Sequence, residues 1–187
     1  VPREASDMAD DALRPAWSEQ FTEEAIRQLF HSGPIAELTP EWAFGGSTGK
    51  GIRVAVVDSG VEYDHPAVGN SVKGGVVVEY DEDAENLVRY EPEDAPCDLA
   101  GHGTACAGII HKLAPEAEIY SVRVLGSNMR GRAIQFAGGL DWAIENDMQV
   151  VNLSLSTSKE DYFSLFHDLA DQAYFKNMNV ICAVNNY

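Results

Sequence analysis

Between Ile52 and Val184 short apolar runs alternate with longer stretches in which apolar residues recur every three or four positions. The runs Ile52–Val57, Val76–Tyr80, Ile119–Val124, Val150–Leu153 and Val180–Val184 are rich in valine and isoleucine and predict buried strands. Between them, Gly103–Lys112, Arg132–Asn146 and Lys159–Asn177 predict helices, the first built of small and apolar residues. Strands that are apolar throughout are buried on both faces. The expectation is therefore an α/β fold: a doubly wound, mostly parallel sheet flanked by helices. In such sheets, sites form at the carboxyl ends of strands. Residues 1–33 are rich in acids and alanine, with one amphipathic stretch from Phe21 to Phe30. They read as an extension outside the core, which runs over residues 34–187. The acid-rich stretch Glu79–Asp98 reads as a surface excursion.

Composition narrows the function. The chain has 187 residues and is 45% hydrophobic, enough for one core of ordinary size. A formal net charge of −17 argues against nucleic acid as a partner, because binding phosphates needs a basic face. No apolar run is long enough for a membrane span, and no signal segment opens the chain. A start at Val1 rather than Met suggests processing or trimming. Cys97, Cys106 and Cys182 cannot all pair with one another, and free thiols are the simpler reading. Free thiols without a signal segment lean toward the cytoplasm, with the compartment unresolved.

Two polar clusters sit where chemistry belongs. In Val54-Ala55-Val56-Val57-Asp58-Ser59-Gly60 a carboxylate directly follows four apolar residues, at the end of a strand. Alone, Asp58 reads equally well as a cap for the turn that follows. In Asp98-Leu99-Ala100-Gly101-His102-Gly103-Thr104-Ala105-Cys106-Ala107-Gly108 a histidine is flanked by glycines and followed by small residues. A lone histidine is more often structural, but glycines on both sides let other groups approach the imidazole closely. Together the clusters suggest an aspartate accepting from Nδ1–H, which leaves Nε2 to take a proton from a nucleophile.

These stretches resemble the aspartate and histidine motifs of the subtilisin-like serine proteases. Val122-Arg123-Val124-Leu125-Gly126 is similar to that family's next strand, and Gly138-Gly139-Leu140-Asp141-Trp142-Ala143 to the helix behind it. Val150-Val151-Asn152-Leu153-Ser154-Leu155 resembles the strand lining the substrate cleft. The resemblance covers about Pro34 to Tyr187, and Asp58 before His102 respects, as far as this chain goes, the family's order of Asp, His, Ser. It implies a serine endopeptidase, with Asp58 the orienting carboxylate, His102 the general base and acid, and Asn186 the oxyanion donor. It also implies that Met129, Arg130, Gly131, Ser154, Leu155 and Ser156 flank an extended peptide or protein substrate. Ala133, Phe136 and Leu155 would line an apolar subsite. Arg130 and Arg132 near that edge suggest a preference for acidic residues upstream of the cut.

The departures matter as much. No Gly-Thr-Ser turn is present to supply the nucleophile. The expectation is an N-terminal portion of the catalytic domain, inactive alone, whose serine comes from a further segment or second chain. The loop Gly45-Gly46-Ser47-Thr48-Gly49 matches G-x-S-x-G but precedes a strand instead of following one, and it lacks the residues of a phosphate loop. No cofactor is expected. The family's calcium-binding loop is absent after His102, and Asp81, Glu82, Asp83 and Glu85 read as solvated charge rather than a cation site. Ser156-Thr157 replaces the usual Gly-Gly beside the primary specificity pocket, which would narrow access to it. Some family members carry a cysteine at the place of Cys106, where a small buried hydrophobe is the simpler role. His65 and His111 read as structural or surface residues. The alternative function is a pseudoprotease or peptide-binding module without a nucleophile. A nucleotide-binding domain is weaker still, because no G-x-G-x-x-G follows a strand.

Overall fold

The computed structural model describes residue 39 and residues 44–84, 87–92, 98–157 and 159–183. Two compact units divide the chain, Val1–Gly46 and Ser47–Tyr187. The first lies almost wholly outside the described residues, and with it the helix expected over Phe21–Phe30. In the second, β1 (Arg53–Asp58), β2 (Val72–Tyr80), β3 (Val88–Pro92), β4 (Glu118–Arg123), β5 (Val150–Leu153) and β6 (Asn179–Cys182) form one sheet in the order β3-β2-β4-β1-β5-β6. Helices α1 (His102–Leu113), α2 (Ala133–Glu145) and α3 (Phe163–Phe175) connect them, α3 after a 3₁₀ turn over Glu160–Tyr162. Every pairing is parallel except β2 with β3. The expected α/β class holds. Among the described residues no helix is long and apolar enough to cross a membrane.

β1 is central because it can be buried on both faces. Its side chains alternate by the two-residue period of a strand. Val56 packs with Val61, Val68, Ala107 and Ile119 on the face covered by α1. Ala55 and Val57 pack with Val122, Phe136, Leu140, Ile144, Val151 and Leu153 on the face covered by α2 and α3. Val56, Val57 and Val122 are fully buried, each contributing roughly 1.5–3 kcal/mol relative to exposure. The register Val56↔Ser121 and Val57↔Leu153 brings the ends of β1 and β5 to the same edge of the sheet. α2 packs close there because Gly139 has no side chain: a Cβ would lie 2.8 Å from Val57 and 2.9 Å from Val124.

The acid-rich excursion is partly structured. β3 lies within it, antiparallel to β2, with Val88 buried and Tyr90 half-buried. The Tyr90 hydroxyl reaches the Gly138 carbonyl and the Asp141 carboxylate at 3.2 and 3.3 Å. Burial first, then the Asp141 charge, push this phenol up to about 12. Outward, Arg89 pairs with Glu79, Asp81 and Glu91, which accounts for part of the acid run as an edge-strand charge ladder. Glu85 lies outside the described residues. The Gly-rich loop before β1 is also structural. Gly49, at φ +78°, sits where a Cβ would come 2.8 Å from Ala114, and the Thr48 carbonyl accepts from the Glu116 amide at 2.9 Å.

Candidate active site

The last residue of β1 is held from several directions. Its backbone carbonyl accepts the amides of Val124 and Leu125 at 2.9 and 3.1 Å, which ties the strand end to the segment leaving β4. Its side chain is fully buried, and Oδ1 accepts the Ser59 amide at 2.7 Å. The remaining acceptor capacity faces α1. Nδ1 of His102 lies 2.8 Å from Asp58 Oδ2 and 2.9 Å from Oδ1. With Nδ1–H donating to the carboxylate, Nε2 is left as the acceptor, on a side chain that is 44% exposed. A buried carboxylate therefore holds a half-exposed imidazole by one ring nitrogen. That is the pairing expected from the two clusters.

The start of α1 explains how His102 reaches this place. A helix start leaves backbone N–H groups without partners, and Gly101, at φ +84°, has no side chain to serve them. Asp98 serves instead. Its Oδ1 accepts the amides of Ala100 and Gly101 at 3.0 and 2.7 Å, and Oδ2 accepts the Thr104 amide at 2.8 Å. The Ser59 hydroxyl donates to Asp98 Oδ1 at 2.6 Å and accepts the Gly103 amide at 3.2 Å. The Thr104 hydroxyl accepts the Glu62 amide at 2.9 Å. Ser59, Asp98 and Thr104 thus clamp the segment after β1 to the first turn of α1. No role for them was readable from sequence. Asp98 stands too far before the helix for an ordinary cap, and the Ser59 partner is 39 positions away.

Burial pushes the Asp98 carboxyl up, but hydrogen bonds from Ser59, Thr104 and the Ala100 backbone outweigh it and hold it at about 2. A folded value below the ordinary carboxylate value means that the ionised form stabilises the fold. The contribution is complete above pH 3.8, the ordinary value, and is lost as pH falls through about 2. Asp98→Asn is expected to lower Tm at neutral pH, with its deficit against wild type shrinking across that window. Thermal melts from pH 7 to 2 check this, and a deficit independent of pH would count against the clamp's ionic character.

Cys106 lies one helical turn after His102, half-buried, with Sγ 3.9 Å from His102 Nδ1 and 3.9 Å from the Ser154 hydroxyl. Ser154 also accepts the Asn152 side-chain amide at 3.0 Å. Burial first, then the Asp58 carboxylate, push the thiol up, away from the thiolate form that a nucleophile needs. Cys106 and Cys182 are free; Cys97 lies outside the described residues. His65 is exposed, and a Cβ on Gly69 would lie 2.9 Å from the half-buried His111 ring.

The expected substrate-flanking residues fall on two strips. Gly126–Arg130 is a tight turn closed by two backbone hydrogen bonds of 3.0 Å, with Met129 at φ +56°. Gly131 follows where a Cβ would meet Val124 O at 2.5 Å and the Phe136 ring at 2.7 Å. Arg130 is exposed, whereas the Arg132 guanidinium lies 3.7 Å from the centre of the Tyr80 ring. Of the two arginines, Arg132 is thus engaged in a cation–π contact within the fold. After β5, Leu155, Ser156 and Thr157 join Phe136, Leu140, Leu153, Phe163 and Phe166 around an apolar cavity of about 540 Å³. Ala133 is buried in the first turn of α2 and does not line this cavity. Asn186 lies outside the described residues.

The subtilase family (peptidase S8) matches residues 49–187. The minor extracellular protease Epr of Bacillus subtilis is 35% identical over 150 residues, covering 75% of this chain and 21% of that protein. Subtilisin BL of Lederbergia lenta is 40% identical over 121 residues, covering 60% of this chain and 40% of that protein. The crystal structure of a cold-adapted subtilisin-like serine proteinase superposes with a TM-score of 0.56 at 22% identity, covering 75% of this chain and 49% of that one. The chain therefore spans between about a fifth and a half of these relatives. A buried strand-end aspartate orienting the first histidine of α1, on a sheet of the same fold, agrees with the family match over most of the chain: this protein belongs to the subtilase family.

Proposed function

We propose that the full-length protein is a serine endopeptidase and that this chain supplies its aspartate and histidine. The observation that carries the reading is the contact of His102 Nδ1 with both oxygens of the fully buried Asp58, at 2.8 and 2.9 Å. In the reaction proposed, Nε2 of His102 takes the proton of a serine hydroxyl as that oxygen attacks the peptide carbonyl, and later returns it to the leaving amine. Asp58 keeps the ring in the tautomer this requires and offsets the charge it acquires. Asn186 donates to the oxyanion. The serine comes from a segment outside these 187 residues. An extended substrate lies between Met129–Gly131 and Ser154–Ser156, with Phe136 and Leu155 at an apolar subsite. Acyl transfer by these groups needs no metal or cofactor.

The compartment reading changes. Epr and a second Bacillus subtilis relative, Vpr, are named extracellular proteases. This weighs against the lean toward the cytoplasm, and we place the protein outside the cell. A fluorophosphonate probe, which reacts only with an activated serine, tests the function. Full-length protein is expected to label at one serine beyond Tyr187, and His102→Ala to abolish labelling. A folded wild type that does not label would favour a pseudoprotease that binds peptides without cutting them.

A further inference from the structure

We propose that a cavity between β3, α2 and α3 binds a primary alkylammonium group, the chemistry shared by a lysine side chain and a free amine. The cavity holds about 200 Å³, which suits one side chain and excludes a drug-sized ligand. Its walls follow from helical spacing. Ile134 and Asp141 stand seven positions apart on one face of α2, as do Leu165 and Gln172 on α3. Leu169 fills the turn between the last two, and Tyr90 closes the third side from the inward face of β3. Asp58 and His102 take no part in this lining, so the site does not rest on the proposed protease function.

The polar side of this cavity is negative. Asp141 is half-buried, and burying a charge is costly unless it is paired. A neighbouring donor is shared: the Tyr90 hydroxyl has a single proton for the Gly138 carbonyl at 3.2 Å and Asp141 Oδ2 at 3.3 Å. Burial first, then the charges of Asp141 and of Glu145 one turn on, push the Tyr90 phenol up, so both carboxylates bear on this hydroxyl. Among the described residues no lysine or arginine pairs with Asp141. The basic residues on or directly flanking the three elements are engaged elsewhere. Arg89 pairs outward with Glu79, Asp81 and Glu91, Arg132 stacks on Tyr80, and Lys176 donates to the Ile144 carbonyl at 2.8 Å.

A cation on an apolar stem answers both halves of the cavity. The stem lies against Ile134, Leu165 and Leu169, while the charge meets Asp141. The geometry selects an ammonium over a guanidinium. A guanidinium fork binds a carboxylate through both oxygens, and here Oδ2 already faces the Tyr90 hydroxyl. An ammonium is a compact point charge with three donors. Asp141, the Tyr90 oxygen and the Gln172 side-chain carbonyl supply three acceptors in the lining of the same cavity.

n-Butylammonium and Nα-acetyl-lysine methylamide are the probes, titrated into full-length protein and followed by saturation-transfer NMR. n-Butylammonium is expected to bind, and its neutral counterpart n-butanol at least about 10-fold more weakly, because a hydrogen bond between charged groups is lost. Asp141→Asn, equal in shape, is expected to weaken n-butylammonium by the same factor. Gln172→Lys is expected to exclude both probes, since that exposed position then offers Asp141 an ammonium from within the chain. Thermal melts establish that both variants are folded. Binding of the lysine derivative as well assigns the site to lysine side chains of a protein segment, and binding of n-butylammonium alone assigns it to free amines. Either result supports the site. Equal affinity for n-butanol, unchanged binding in either variant, or no binding to wild type would overturn it, and tighter binding of n-propylguanidinium would overturn the choice of an ammonium.

Discussion

Replacing Asp58 with asparagine is expected to lower kcat of the full-length protein about 10⁴-fold, the magnitude of the same exchange in a serine protease of unrelated fold. The local hydrogen bonds give the reason. Oδ1 accepts the Ser59 amide at 2.7 Å, so the asparagine carbonyl oxygen would take that place. The amide NH₂ would then fall where Oδ2 stands, 2.8 Å from His102 Nδ1. A donor at that point makes Nδ1 an acceptor and puts the ring proton on Nε2, where the base must be free. The side-chain volume is unchanged and the Ser59 contact is kept, so Tm should move little. Steady-state hydrolysis of a peptide substrate, with a melt beside it, checks the claim. Activity within tenfold of wild type would mean that Asp58 only caps its turn.

A second large effect is expected from one added methyl group. Gly103 packs against the segment that follows Asp58, and a Cβ there would run into the Gly60 carbonyl oxygen and lie 3.2 Å from the Asp58 Cβ. Both obstacles are buried, one at the end of β1 and one in the turn that follows it, and neither is the far end of a flexible side chain. In Gly103→Ala, α1 must retreat and carry His102 with it. Overpacking of this kind costs about 1–3 kcal/mol, at about 2–4 °C of Tm per kcal/mol for a domain near this size. A displacement of about 1 Å at the base can cost about 100-fold in rate. Activity should therefore fall much further than stability. Gly74→Ala is the control, since a Cβ at Gly74 meets nothing within 4 Å. Equal losses in the two variants would refute close packing as the cause.

The residues of the candidate site were legible to different depths. Asp58 stood out because a carboxylate after four buried residues must lie at a strand end. His102 stood out because glycines on both sides are an uncommon setting for an imidazole. That the two meet was suggested by the chemistry of the two clusters and implied by the resemblance, since no local periodicity links positions 44 apart. β3 was missed because its inward residues, Val88 and Tyr90, alternate with Arg89 and Glu91 in a run dominated by acids. That is the period of an edge strand, hidden by charge. Arg132 was assigned to the substrate edge by proximity in sequence, whereas its guanidinium lies over Tyr80.

By itself, the sequence determined what depends on neighbours along the chain. The strand and helix periods, the α/β class and the positions of the two chemical clusters are all of this kind. Only the tertiary structure decided how those clusters engage. It placed both oxygens of Asp58 against one nitrogen of His102, gave Asp98 and Ser59 the work of holding the first turn of α1, and set Cys106 against the same ring. Periodicity is local, so a sequence displays it directly. Contacts between β1, the segment before α1 and the end of β5 follow from sheet register and helix packing, which exist only once the whole core has closed.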